Sequence, residues 1–333
     1  MSKRLLIAVF IASASLHAED VLVASSRSNS LEQFKTNGSW VRTFATTGPY
    51  SPTSMAQSPL TGEIFVTTLW GSGPQVGQNS NIILRYHPNG NFDTNWDTFA
   101  VTCGFVCPSS ATASLLFDSS GNLWVATHFG TDLGVPIYIF EYLAANLTVP
   151  NPPAEPAPIM ATMSRGDQMA FNASDNLCIA GFIDEDVKCF DTTTGAQTAD
   201  YYAEIHASSV GGIEPGGLAF DAANRLYLSS LFTGQVVKEV SPGGPIVLLA
   251  AVDSSPNLLN ANLVLRGADL YVPTYYNPPP TFSTPDAVYK VSTSKGAVTD
   301  FIYGTAAPGL GNDHIWGANW MIFYSATSAQ KEE

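Results

Sequence analysis

The sequence predicts an all-β chain folded as one six-bladed β-propeller, each blade a four-stranded antiparallel sheet. Three observations lead there. A β-rich run recurs six times, as DVLVASS (20–26), EIFVTTL (63–69), NLWVATHF (122–129), NLCIAGF (176–182), RLYLSSLF (225–232) and DLYVPTYY (269–276). Aligned at Val21, Ile64, Leu123, Leu177, Leu226 and Leu270, the runs lie 43, 59, 54, 49 and 44 residues apart, the length of a four-strand repeat. Turn clusters recur in step, and no 3.6-residue apolar period is sustained anywhere, which excludes a helical solenoid.

Met1 to Ala18 has the layout of a secretory leader: Lys3 and Arg4, the apolar run Leu5 to Ile11, then small residues up to a cleavage site at Leu16-His17-Ala18. Residues 1–18 are thus expected to be removed, leaving 19–333 as a single propeller domain. The apolar run is too short for a permanent anchor and no later run reaches spanning length, so a secreted or periplasmic protein without membrane insertion is expected. Without Lys3 and Arg4 the formal charge falls from −14 to −16. That balance argues against a nucleic-acid partner. It permits cations, neutral sugars or basic ligands, and a monomer is expected.

Glu214 to Val252 displays one whole unit. Gly217 to Phe220 forms the inner strand, Asp221 to Asn224 a turn, Leu226 to Ser229 the second strand and Gly234 to Val240 the third. Ser241-Pro-Gly-Gly244 turns the chain into the outer strand. Inner strands precede the other second strands in MAQSPLTGE (55–63), LLFDSSGN (115–122), MAFNASDN (169–176) and LVLRGAD (263–269). Third and outer strands are joined at KTNG (35–38), HPNG (87–90), DTTTG (191–195) and TSKG (293–296), whose glycines supply positive φ.

After cleavage the first unit lacks an inner strand. The tail DHIWGANWMIFYS (313–325) aligns with NLVLRGADLYVPT (262–274) and is expected to supply it, closing the ring with strands from both termini. WMIFYS within the tail resembles a further second strand, which keeps a seven-bladed ring as the alternative. Connections longer than the template fall at Gly71–Asn81, Ala100–Thr112, Phe129–Pro136, Thr148–Arg165 and Tyr276–Pro285. All five read as second-to-third-strand or blade-to-blade loops, which open on one face and mark it as the binding face.

Export permits disulfides. A hairpin centred between Ile183 and Asp184 sets Cys178 directly opposite Cys189, and Cys103 with Cys107 can close a small ring in CGFVC. A metal site is the rival reading of the four cysteines, although neither pair has the two-residue spacing of a zinc knuckle.

The pattern from PGGLAFDAANRLYLSS through SPGG resembles the NHL-repeat propellers, and also the gluconolactonase/senescence-marker and streptogramin-lyase propellers. The resemblance spans nearly all of the mature chain and rests on blade-forming residues. Gluconolactonase-like members hold one divalent cation in the channel, and the resemblance thereby implies a calcium or magnesium site. Of that ligand set only Asp167, in Gly166-Asp167-Gln168, keeps its type. The family's Asn aligns with a glycine in Pro215-Gly216-Gly217, its N-terminal Glu-Gly-Pro has no match around Val21–Asn29, and the lyase pairing of Glu and His has none either.

Residues at inner-strand starts and second-strand ends converge on the loop-rich channel mouth. Asp167, Glu214 and Asp313 are the candidate oxygen ligands for a divalent cation, and His128 and His314 the candidate general bases. Arg27, Trp70, Asn262, Tyr275 and Tyr276 complete the rim, where exposed aromatics also suit sugar stacking. The bland reading gives the acids backbone hydrogen bonds and the aromatics blade-end packing, with Asp118 and Asp221 as turn caps. Two functions compete. One is a propeller that binds a small molecule, glycan or protein through the loop-rich face, and the alternative is a metal-dependent lactonase or esterase-type hydrolase.

Overall fold

The structure is a computed structural model, described here for residues 19–71, 82–98, 112–127, 136–150, 152, 159–252, 258–259, 262–276, 286–303, 315 and 317–325. Six antiparallel sheets form the ring. In the second blade, Tyr50–Gln57 is innermost, followed outwards by Ile64–Gly71, Ile82–Tyr86 and Phe92–Thr98. The third holds Thr112–Phe117, Leu123–Thr127, Ile137–Tyr142 and Ile159–Ala161, and the fourth Met169–Phe171, Leu177–Gly181, Asp186–Phe190 and Gln197–Asp200. The fifth holds Pro215–Phe220, Leu226–Ser230, Gln235–Glu239 and Ile246–Ala251. In the sixth, Val264–Arg266 pairs with Asp269–Tyr276, followed by Ala287–Ser292 and Val298–Tyr303, with Leu258–Leu259 extending the sheet at the far end of Asp269–Tyr276. Among the described residues the only α-helix is Tyr202–His206.

Both termini build the first blade. Ala318–Ser325 is its inner strand, pairing Phe323 with Val21 and Met321 with Val23, and Ser30–Lys35 and Trp40–Thr46 follow Glu19–Ser25 outwards. The ring therefore has six blades and closes as expected, with a shift in detail. WMIFYS, which suggested a seventh blade, lies in the inner strand itself. An inner strand packed on both sides carries the same unbroken apolar run as a second strand, and pattern alone does not separate the two.

The core lies between blades. Leu123 and Val125 pack towards the second blade while Trp124 and Ala126 pack towards the fourth. Likewise Leu226 and Leu228 face the fourth blade and Tyr227 the sixth. Burial on both faces is why the second strands read as continuous β-rich runs. Short turns join inner to second strands at one end of the ring, and in three blades an Asx side chain closes them. Asp118 accepts from Ser120 and Asn122 N–H, Asn172 from Ser174 and Asn176, and Asp221 from Ala223 and Arg225. The turn-cap reading of Asp118 and Asp221 therefore holds.

One loop assignment is corrected. The Thr148–Arg165 segment contains the third blade's outer strand, Ile159–Ala161, so most of it joins third to outer strand, at the end opposite the other insertions. Only 162–168 is a blade-to-blade loop. The three-residue strand is too short to stand out beside a proline-rich run. The start of this crossing is tied to the neighbouring blade, where the Leu147 carbonyl accepts from Trp96 Nε1 at 2.9 Å and Arg85 Nη1 at 2.5 Å.

Candidate functional site at the channel

Each inner strand enters the ring at the loop-rich end, and its first residues set the channel's polar level. Ser54, Ser114, Gln168, Gly217 and Asn262 occupy equivalent positions in the second to sixth blades, and Asn319 stands at this level in the first. Ser54 Oγ accepts from Leu115 N–H of the next blade at 3.0 Å, and Ser114 Oγ from Met169 N–H at 3.1 Å. Gln168 reaches further. Its Oε1 accepts from Leu218 N–H at 2.9 Å and Leu263 N–H at 2.7 Å, and its Nε2 donates to the Leu263 carbonyl at 3.0 Å. It serves two blades because Gly217 has no side chain to offer. A Cβ at Gly217 would lie 2.5 Å from Ser229 Oγ and 2.7 Å from the Asn262 carbonyl carbon. Asn262 Oδ1 accepts from Met321 N–H at 3.0 Å, and Asn319 Nδ2 donates to the Thr53 carbonyl at 3.2 Å, completing the circuit. Buried amide groups that would otherwise lose water are thus paired from blade to blade.

On the loop-rich side of this ring lies a cluster between the fourth and fifth blades. The Arg165 guanidinium lies over the Phe182 ring, 4.3 Å from its centroid, and Phe182 meets Phe232 edge-on at 5.5 Å. Arg165 Nε stands 3.7 Å from Asp167 Oδ1. Asp167 is buried, and burial pushes its carboxyl up to about 6, against the opposing pull of Arg165 and of a hydrogen bond from the Phe182 backbone. Glu214 enters the next inner strand and is also raised, first by burial and then by the charge of Glu185, which in turn faces His206 Nε2 at 3.7 Å.

The structure brings Asp167 and Glu214 to adjacent inner strands, and Gln168 N–H donates to the Gly216 carbonyl between them at 3.3 Å. Arg27 lies in the turn after the first blade's second strand, against Gly317, whose N–H donates to Asp286. Asn262 is part of the polar ring. The register sets Trp70, Tyr275 and Tyr276 at the loop-rich ends of their second strands. His128, Asp313, His314, Cys103 and Cys107 lie outside the described residues. Cys178 and Cys189 pair in register and are disulfide-bonded. Among the described residues no three His, Cys, Asp or Glu side chains converge as a metal site. Arg165, Phe182, Phe232, Gln168 and Asp286 were not singled out from sequence. No fixed spacing links them, and only the adjacency of Gln168 to Asp167 hinted at one.

No protein-family model matches the chain, and no characterised sequence relative is found. Solved structures do resemble it. A protein of unknown function from Bacteroides caccae is 13% identical with a TM-score of 0.62, over 92% of this chain and 99% of the other. A chain of a nidogen/laminin complex is 11% identical with a TM-score of 0.59, over 85% and 93%. A streptogramin B lyase is 11% identical with a TM-score of 0.52, over 87% and 84%. At such identities the likeness establishes the fold alone, and the chain is a six-bladed β-propeller.

Proposed function

We propose that the chain is an exported binding propeller that takes a small molecule, a neutral glycan or a protein partner on its loop-rich face. The observation that carries this is the asymmetry of the two ends. Residues 72–81, 99–111, 128–136, 201–214, 277–286 and 304–317 all connect strands at one end, against mostly short turns at the other. Rigid strands thereby hold the Arg165–Phe182–Phe232 cluster at the end where these connections begin and finish, and aromatic rings beside a cation suit a planar or sugar-like surface. The disulfide and the leader-like N-terminus support export.

A second reading is a metal-dependent hydrolase. It is favoured by the raised carboxyls of Asp167 and Glu214, whose cost a divalent cation would relieve, and such a cation would polarise a carbonyl as a Lewis acid.

Calorimetric titration of the chelator-stripped protein with calcium, magnesium, manganese and zinc, followed by a neutral-oligosaccharide array, separates the two. The binding reading expects oligosaccharide affinity without any metal, lost at least tenfold in Phe182→Ala. Tight single-site metal binding abolished by Asp167→Ala or Glu214→Ala would overturn it in favour of the hydrolase. Affinity indifferent to Phe182 would sink the cluster as the binding surface.

A further inference from the structure

Below the polar ring the channel changes character. Residues at equivalent depth line a cavity of about 560 Å³ that runs towards the short-turn end. The innermost level is narrow-chained on three blades, with Ala56, Ala170 and Ala219. The outermost carries Phe117, Phe171, Phe220, Leu265 and Phe323 on five of the six blades. All five are half-buried and line the cavity while also packing on the preceding blade, Phe117 against Phe65, Phe171 against Trp124, Phe220 against Tyr201 and Phe323 against Tyr271. The sixth position is Gln57, whose polar atoms are already used in its own turn and on the adjacent first blade, accepting from Ser325 N–H and donating to the Gly62 and Ser325 carbonyls. Charge at this mouth is paired, since Arg266 lies over the Phe323 ring and bridges to Glu19 at 2.5 Å.

At the inner end, Asn262 is 1% exposed and lines the cavity. Its Oδ1 serves Met321, while its Nδ2 makes no hydrogen bond to any described residue. The amide nitrogen is thereby left able to donate to whatever occupies the bore.

We propose that this half of the channel is a binding site for an uncharged, aromatic-bearing small molecule with a hydrogen-bond acceptor at one end. The acceptor meets Asn262 Nδ2, and the apolar body lies among the four phenylalanines. Three features select that chemistry. The volume is that of pockets that take drug-sized ligands, the aromatic lining rewards removal of planar apolar surface from water, and none of the described lining residues carries a charge to hold an ion. The site is separate from the loop-face cluster, on the far side of the polar ring.

The test is a fluorescence titration of the mature protein with prodan, an uncharged naphthalene carrying a ketone, whose emission shifts to the blue in apolar surroundings. Saturable one-site binding is expected. Ala170→Trp and Val264→Trp, which fill the bore from two different blades, should each weaken it at least tenfold with the melting temperature retained, and should one not fold the other decides. 2-(Dimethylamino)naphthalene, which lacks the ketone, should bind several-fold more weakly, and Phe182→Ala on the opposite face should change nothing. Absence of saturable binding, undiminished binding in a folded bore-filling variant, or loss of binding in Phe182→Ala would overturn the assignment.

Discussion

Replacing Gln168 by Met should be among the most damaging changes of similar volume in the channel. One side-chain oxygen accepts from two backbone N–H groups of different blades, and the side-chain nitrogen covers the Leu263 carbonyl. Gln168 is 7% exposed, so water does not readily replace these bonds. Leaving a buried donor unsatisfied costs about 1–3 kcal/mol. Two orphaned donors and a weakened acceptor therefore sum to about 4 kcal/mol. With a urea slope of about 3 kcal/mol/M, at the upper end for small proteins, the unfolding midpoint should fall by about 1 M with the slope unchanged. Ser54→Ala and Ser114→Ala each remove one acceptor and should cost about half as much. Gln168→Glu, which keeps the acceptor and loses the donor, should fall between wild type and Gln168→Met. A Gln168→Met midpoint within about 0.3 M of wild type would refute the claim that this side chain ties three blades together.

Two hairpin glycines with similar backbone should respond differently to alanine. Gly296 (φ 64°) would place a Cβ 2.0 Å from the Leu249 carbonyl oxygen of the preceding blade, whereas Gly243 (φ 69°) faces open space. Gly243→Ala should cost about 1–2 kcal/mol for the left-handed backbone alone and Gly296→Ala at least twice that, read by chemical denaturation. Reducing the Cys178–Cys189 bond, which closes a loop of sequence separation 11, should lower stability by about 3 kcal/mol, and labelling of the unfolded, unreduced chain should leave both cysteines unmodified. Asp167 has its pKa raised from 3.8 to about 6, so the folded state holds this proton after the unfolded state has released it. Its contribution is thus fully favourable below pH 3.8 and is lost as pH rises through 6. Asp167→Asn, which keeps an acceptor for the Phe182 N–H, should be more stable than wild type at pH 8 and show a flatter profile from pH 4 to 7; equal slopes would refute the burial argument.

What the sequence discloses follows from how many constraints act on each position. The run LAFDAANRLYLSS was legible because Leu226, Tyr227 and Leu228 are buried on both faces and Asp221 must fold back on its own backbone. The register of Cys178 with Cys189 followed from hairpin symmetry alone. The inner strand Ala318–Ser325 was ambiguous because double-sided burial leaves inner and second strands with one signature. Ile159–Ala161 was missed because three residues cannot establish a period. The loop-face cluster was hidden for a different reason. Arg165, Phe182 and Phe232 come from three separate loops, and the packing of the fourth blade on the fifth brings them into contact.

The polar ring was illegible although every blade contributes to it, and the cause shows what it does. Its six positions hold Ser, Ser, Gln, Gly, Asn and Asn, so no single residue type marks the level even though the register repeats. What is held constant is satisfaction of the amide groups facing the bore, and different side chains achieve it according to reach: a serine spans one blade, while Gln168 spans two past Gly217. Such a ring acts as a partition. On one side stand ionisable groups, Asp167 and Glu214, whose raised pKa values report poor hydration. On the other stand half-buried phenylalanines around a bore whose described lining residues carry no charge. The two sides share only the backbone and the side chains of the ring itself. Contacts separated in this way add independently. Phe182→Ala and Ala170→Trp should therefore combine without coupling, whereas Asn262, which belongs to the ring and to the bore at once, is the position where a change on one side would be felt on the other.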